Sequence, residues 1–504
     1  MASRSQPKVV LFYPPYAGKP LGPPLGLLNL ATPLLNAGIR VRIIDAAIEP
    51  NYQEVLAAEI PSATCFGVSL LTGPMILHAI NASRQVRGLR PGLPIVYGGW
   101  HPTLLPEQTL REEFVDAVVR GQGELTFLEV VERWSESRSL EGVAGVSYKD
   151  GDRIVHNPDR PVASINSLPT PAYSLVDFGR YEKACGLRKT VYASSVGCPY
   201  ACNYCTDTVF YQRLFNALSP ERVVREVISL VGRHQLSEVS FLDSNFPVNV
   251  RRALAIARGF LESGVRFRWT FQASTDLIAR MSDEDVLLLG RSGVSHIGFG
   301  VESGSREVLD WMNKPHQRVD DMFETARKCE RAGIKTTFNL IIGYPGETDA
   351  HRAETFRVMG ELCRRHPTAN FSPNIFTPYP AIPIWPRLSA LGVTEPQSLK
   401  EWAGMSLGSN FLPWLRGEEY RRSKRMLSCF LLYHQLRRGL RGRNAFSLAR
   451  KLQEMLLAWL DWRLRRRFYR LPLELWVAAL RKHLTVRRSL LTGQGLGADL
   501  EGIS

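Results

Sequence analysis

The 504-residue chain has no run of about 18 uncharged apolar residues, so no stretch of it is suited to cross a bilayer as a helix. Cysteine is scarce, 8 in all, and too scattered to form a disulfide framework for so long a chain. No repeat of solenoid period is visible. The opening MASRSQPKVVLFYPPY reaches a strand-like run almost at once, leaving no room for a secretory leader. A reducing, cytoplasmic setting is therefore expected. The first strand is not followed by Gly-x-Gly-x-x-Gly, and no Walker loop occurs, which argues against ordinary dinucleotide or ATP binding.

What is present is ordinary globular composition, 44% hydrophobic with 40 Gly and 32 Pro, at a length that fits two or three domains. The net charge of +15 is unevenly placed. Phe411 to Ser504 carries 20 Lys and Arg against 7 Asp and Glu, leaving 43 against 41 for residues 1–410. The main body is nearly neutral, and any electrostatic partner is met at one end. Nucleic acid is the least favoured such partner, since no recognised binding module occurs.

Residues 8–137 alternate short apolar runs (Val9–Tyr13, Val41–Asp45, Cys65–Leu71, Pro94–Tyr97, Ala117–Val119) with helical patterns. Continuously apolar strands separated by helices predict a parallel, doubly wound sheet, which binds ligands at the carboxyl ends of its strands. A hairpin is expected over Gly145–His156, followed by a proline-rich linker to about Arg180. From Thr190 to Pro380 six further strands alternate with helices. That pattern fits a partial (β/α)6 TIM-like barrel, with its chemistry at the strands' carboxyl mouth. Beyond about Trp402 the pattern is helical and arginine-rich.

The sharpest local signal is Gly197-Cys198-Pro199-Tyr200-Ala201-Cys202-Asn203-Tyr204-Cys205. Three thiols spaced C-x3-C-x2-C just after a strand can wrap a loop around one soft metal centre. They are one short of the four donors of a closed zinc site or a fully ligated cubane. A catalytic cluster needs such an open position, whereas the competing reading is a zinc knuckle lacking its fourth ligand. Cys185 and His234 are the nearest other candidates, and neither has finger-like spacing.

This segment resembles the radical S-adenosylmethionine (SAM) superfamily, whose motif is C-x3-C-x-aromatic-C, with Tyr204 as the aromatic. The resemblance implies that Cys198, Cys202 and Cys205 hold a [4Fe–4S] cluster. Its unique iron would bind SAM and, on reduction by an external donor of flavodoxin or ferredoxin type, yield a 5′-deoxyadenosyl radical. Asp243 after the second barrel strand, Glu302 after the fourth and Gly343 after the fifth are the corresponding candidates for contact with SAM. Ala381-Ile382 stands after Pro378-Tyr379-Pro380, where relatives carry Gly-Thr.

The N-terminal sheet resembles the cobalamin-binding domain through Ser69-Leu70-Leu71-Thr72 and Gly98-Gly99, with Gly121, Gly123 and Glu124 on the same edge. The D-x-H-x-x-G element that would supply a histidine to cobalt is absent, and Tyr13-Pro14-Pro15-Tyr16 stands in its place. His101 precedes a proline in a loop and reads as a structural cap.

The implied organisation is a cobalamin-binding-like domain over 1–140, a hairpin and linker over 141–183, a radical SAM core over 184–400 and a basic helical region over 401–504. The function expected is methylation of an unactivated carbon of a small molecule, the substrate being a lipid or tetrapyrrole in two variants of that reading. Oxidative cyclisation of a tetrapyrrole and a non-catalytic cobalamin-responsive protein are the alternatives. For the basic region the expected role is a cap packed on the barrel, followed by peripheral contact with anionic lipid.

Overall fold

The computed structural model describes residues 6–16, 18–405, 412–439 and 448–470. The first sheet holds β1 (Lys8–Tyr13), β2 (Arg40–Asp45), β3 (Cys65–Ser69), β4 (Ile95–Gly98), β5 (Ala117–Val119), β6 (Val146–Asp150) and β7 (Arg153–His156). Their order is β2-β1-β3-β4-β5-β6-β7. The first five are parallel, whereas β6 and β7 form the expected hairpin and add antiparallel to β5. The hairpin thus closes one edge of the sheet instead of bridging two domains. β1 is buried along its middle because helices cover both faces of the sheet. Leu25–Asn36 packs with Glu124–Ser135, and Tyr52–Glu59 with Met75–Leu89. Strand order reverses at β1 and β3, so the carboxyl ends there open a crevice.

The second sheet holds β8 (Lys189–Tyr192), β11 (Glu238–Phe241), β12 (Arg268–Ala273), β13 (Val294–Glu302), β14 (Lys335–Ile342) and β15 (Asn370–Ile375). All six are parallel and neighbour one another in chain order, the open arc of a partial barrel. Between β8 and β11, β9 (Ser195–Val196) pairs antiparallel with β10 (Asn216–Ala217) and closes the base of the cysteine loop.

The two sheets share apolar cores. Leu25 and Leu28 of the first domain pack in one cluster with Val191, Tyr192 and Phe241 of the barrel. Tyr97 and Leu110 share another with Tyr344, Phe376 and Trp402. The described part of the basic region packs on the barrel, helix Gly417–Gly439 laying Phe430 against Phe356 (5.5 Å) and Phe371 (5.1 Å); residues 406–411, 440–447 and 471–504 lie outside the described residues. Among the described residues no helix is long and apolar enough to cross a membrane.

Candidate functional site

The cysteine loop is set by its backbone. Gly197 has φ +75°, and a Cβ there would stand 2.0 Å from the Leu214 carbonyl oxygen, so only glycine fits. Cys202 is buried and Cys198 and Cys205 are half-buried. Burial raises all three thiols, that of Cys205 to about 12, so binding a soft metal there would release protons. Among the described residues no three His, Cys, Asp or Glu side chains converge on a point one ion could occupy.

The segment after the helix Arg306–Trp311 grips the loop. The Asn203 amide nitrogen donates to Met312 O (3.1 Å), its side chain donates to Trp311 O (2.8 Å), and Asn313 donates to Ala201 O (2.7 Å). Tyr344 donates its hydroxyl to Asn203 Oδ1 at 2.6 Å. Tyr204 donates to Glu302 Oε1 at 2.9 Å, and Lys314 Nζ meets the same oxygen at 2.9 Å. Lys314 also donates to Gly300 O (2.9 Å) and lies 3.2 Å from the Tyr204 hydroxyl. Burial by itself would lower the Lys314 ammonium, but the Glu302 carboxylate and nearby Cys202 outweigh it and the net shift is upward. Glu302 adopts φ +59° at a bulge of β13, which turns its carboxylate inward to this cluster of groups.

Two of the sequence's barrel candidates lie elsewhere. Asp243 is buried, and its oxygens accept from the Ser194 amide (2.9 Å), the Ser194 hydroxyl (2.6 Å) and the Ser195 hydroxyl. It positions the β8–β9 turn, with three of its acceptor sites taken by these serines. Gly343 donates its amide to Glu347 and accepts from Trp414 Nε1 at 3.0 Å. Leu412 and Leu415 cover its Cα, where an added Cβ would come within 3.0 and 2.8 Å.

Above the first sheet a cavity of about 820 Å³ opens between the domains. Ser69, Leu71, Gly98, Gly99, Gly121, Gly123 and Glu124 line it. Leu70 and Thr72 do not. Leu70 points to the opposite face by strand alternation, its amide bonded to Gly98 O (2.9 Å). The Thr72 hydroxyl is held by His101 Nδ1 at 2.9 Å. His101 is itself fully buried beside Trp402, and burial keeps its imidazole neutral, lowering it to about 3. Among the described residues no histidine lines the cavity.

Gly99, at φ +94°, lets backbone approach the cavity floor, since a Cβ there would lie 3.0 Å from the Leu70 amide nitrogen and carbonyl oxygen. Below this floor Leu11, Gly67, Val96 and Phe127 line an apolar extension into the sheet. A bare floor of glycines with an apolar slot beneath suits a broad, flat ligand. The opposite wall comes from the barrel: Ala193, Val196, Phe210, Tyr211 and Leu242. Trp100, next to Gly99, stacks on Phe210 at 4.2 Å, and Phe210 follows Cys205 by five positions. Sequence reasoning missed this contact and Lys314, because neither lies in a recognisable local pattern.

Comparison with known proteins agrees with this architecture. Residues 192–359 match the radical SAM superfamily model and residues 18–131 the B12 binding domain model. An uncharacterised methyltransferase of Pyrococcus horikoshii is 32% identical over 371 residues, covering 72% of this chain and 78% of that protein. The chain belongs to the cobalamin-binding radical SAM enzymes. Membership brings a [4Fe–4S] cluster, SAM and cobalamin as cofactors. The hopanoid C-3 methylase of Methylococcus capsulatus is 25% identical, over 72% of this chain and 68% of that protein. An anaerobic magnesium-protoporphyrin IX monomethyl ester cyclase of Synechocystis is 28% identical, over 59% of this chain and 60% of its own. The fold matches the methyltransferase TsrM from Kitasatospora setae, solved with cobalamin and a [4Fe–4S] cluster, at TM-score 0.70 and 17% identity, over 90% of this chain and 99% of that one.

Proposed function

We propose that this enzyme methylates an unactivated carbon of a small molecule in the cavity between its two sheets. One observation carries the reading: the glycine floor of the first sheet and the barrel residues Ala193, Val196 and Leu242 line the same cavity. In this reading Cys198, Cys202 and Cys205 hold the cluster, Tyr204, Lys314 and Glu302 buttress it, and the edge from Ser69 to Glu124 carries cobalamin. When bound, the cluster with SAM supplies a hydrogen-abstracting adenosyl radical, and cobalamin supplies a transferable methyl group.

The chain's own residues position and shield. Trp100 and Phe210 fix the distance between the cysteine loop and the cobalamin floor. Leu71, Val196, Phe210 and Leu242 keep the space between them apolar, which protects radicals from quenching by water. None of the described residues that line the cavity is a histidine, so none of them would offer an imidazole to cobalamin. The apolar wall favours a lipid or tetrapyrrole-like substrate, and an external donor of flavodoxin or ferredoxin type supplies the electron. This division of labour places the core over 184–400 and the cobalamin domain from the start of the sheet past 140 to His156, since the hairpin belongs to that sheet.

The test is anaerobic reconstitution with iron, sulfide and cobalamin, then incubation with SAM carrying a deuterated methyl group. Formation of 5′-deoxyadenosine with a substrate gaining one labelled methyl supports the reading, and a product that only loses hydrogens refutes it. The similarity to the Synechocystis cyclase favours that second outcome as the alternative.

A further inference from the structure

The helix Leu448–Arg466 turns one face to the barrel and one to water. Inward, Leu460 and Leu464 are buried, and Leu464 lies over Gly360, where an added Cβ would come within 3.1 Å. Asp461 accepts from Arg364 at 2.9 Å and from the Tyr433 hydroxyl at 3.2 Å. Outward, Met455 is 69% exposed, Leu452 57% and Trp462 44%, with exposed Ala458 between them. Recurrence every three or four residues makes these one stripe.

Trp459 stacks on Trp462 (5.1 Å, 15° between planes), and Trp462 meets Phe468 at 5.6 Å, so the aromatic end of the stripe is a rigid plate. Cations bracket it: Lys451 at one end, and Arg465, Arg466, Arg467 and Arg470 at the other. Asp461 pairs with Arg465 and Glu354 with Arg467. Lys451, Arg466 and Arg470 have no acidic partner among the described residues.

We propose that this face docks on an anionic lipid bilayer, with the helix lying in the interface plane. A stripe of Leu, Met and stacked Trp seats at the boundary between headgroups and acyl chains, while flanking arginines and lysines meet anionic headgroups. From Lys451 to Arg470 six cations stand against two anions, which supplies charge complementarity to such a surface. The main body has no such excess and contributes little.

The test uses the full chain and needs no cofactor: co-flotation with phosphatidylcholine vesicles, with and without phosphatidylglycerol. Binding is expected only with phosphatidylglycerol present, and to weaken as salt rises. Met455→Glu with Trp462→Glu should lower partitioning about tenfold or more, with the melting temperature falling by no more than a few degrees from the lost ring contacts. Lys451→Glu with Arg466→Glu, which leaves the apolar stripe intact, should weaken binding in the same direction. Failure of the wild type to float with anionic vesicles overturns the proposal, as does equal flotation of the variants. A dimer that the Met455/Trp462 variant dissolves would also overturn it, because a second copy would then cover the face. A large fall in that variant's melting temperature would assign the stripe to internal packing.

Discussion

The Glu302–Lys314 pair allows a quantitative test of how the cysteine loop is supported. Its side chains are 10% and 7% exposed, and the carboxylate has only two close partners, Lys314 and the Tyr204 hydroxyl, each at 2.9 Å. Lys314→Met removes the cation, leaves Glu302 charged in a site with little water, and takes a donor from Gly300 O. Breaking an enclosed pair on one side costs about 3–5 kcal/mol. Glu302→Gln leaves the ammonium with two neutral acceptors and should cost a comparable amount. The double variant removes both charges while keeping the volume, so it should be far more stable than the sum of the singles, with a coupling of at least about 2 kcal/mol. The assay is urea unfolding of the cluster-free protein under reducing, anaerobic conditions, completed as a four-member cycle. A Lys314→Met variant within about 1 kcal/mol of wild type, or additive singles, would refute the reasoning, because the pair would then behave as a solvated surface contact.

Other substitutions probe separate parts of the site. Gly197→Ala forces a Cβ against the Leu214 carbonyl at positive φ, so reconstituted protein should carry little cluster iron while sheet content by circular dichroism is retained. Gly99→Ala should weaken cobalamin retention on gel filtration without changing iron content. Trp100→Ala removes a 4.2 Å stack across the domains, worth about 0.5–1.5 kcal/mol beyond area burial, and should uncouple the reaction, with 5′-deoxyadenosine formed in excess over methylated product. Burial raises Glu347 from 4.5 to about 7 despite the Arg352 guanidinium. The folded state therefore holds a proton that the unfolded state has released, and stability contributed by this group should fall as pH rises from about 4.5 to 7. Glu347→Gln should flatten that slope in thermal melts across the same range.

The fold was largely legible because parallel strands covered on both faces are short, unbroken apolar runs. Val9–Tyr13 and Ala117–Val119 fall within β1 and β5 for that reason. The cysteine loop was legible because its chemistry is packed into eight consecutive residues, Cys198 to Cys205. Its support was not. Lys314 meets Tyr204 across 110 positions, Tyr344 meets Asn203 across 141, and Trp414 meets Gly343 across 71. Nothing local marks a lysine as enclosed or a tryptophan as a lid. Asp243 and Thr72 show the converse limit: a polar residue at a strand's carboxyl end is well placed for a ligand, yet neighbouring side chains can engage it first.

The basic region divides physically into two parts. Leu412, Trp414 and Leu415 seal the backbone of Gly343, and Arg352, with no exposed side-chain surface, reaches Glu419 at 2.9 Å while also facing Glu347. That chain of contacts makes residues 412–419 a wall of the loop after β14, so their arginine-rich surroundings are a consequence of covering a barrel and carry no message about partners. Further along, Arg422 pairs with Asp349 and Arg437 donates to the carbonyls of Cys363 and Arg364, again spending charge on the body. Among the described residues of this region, only from Lys451 onward do cations without acidic partners coincide with apolar side chains left in water. Charge alone could not have separated these parts, since both are equally basic in sequence. The distinction lies in which arginines already have somewhere to go.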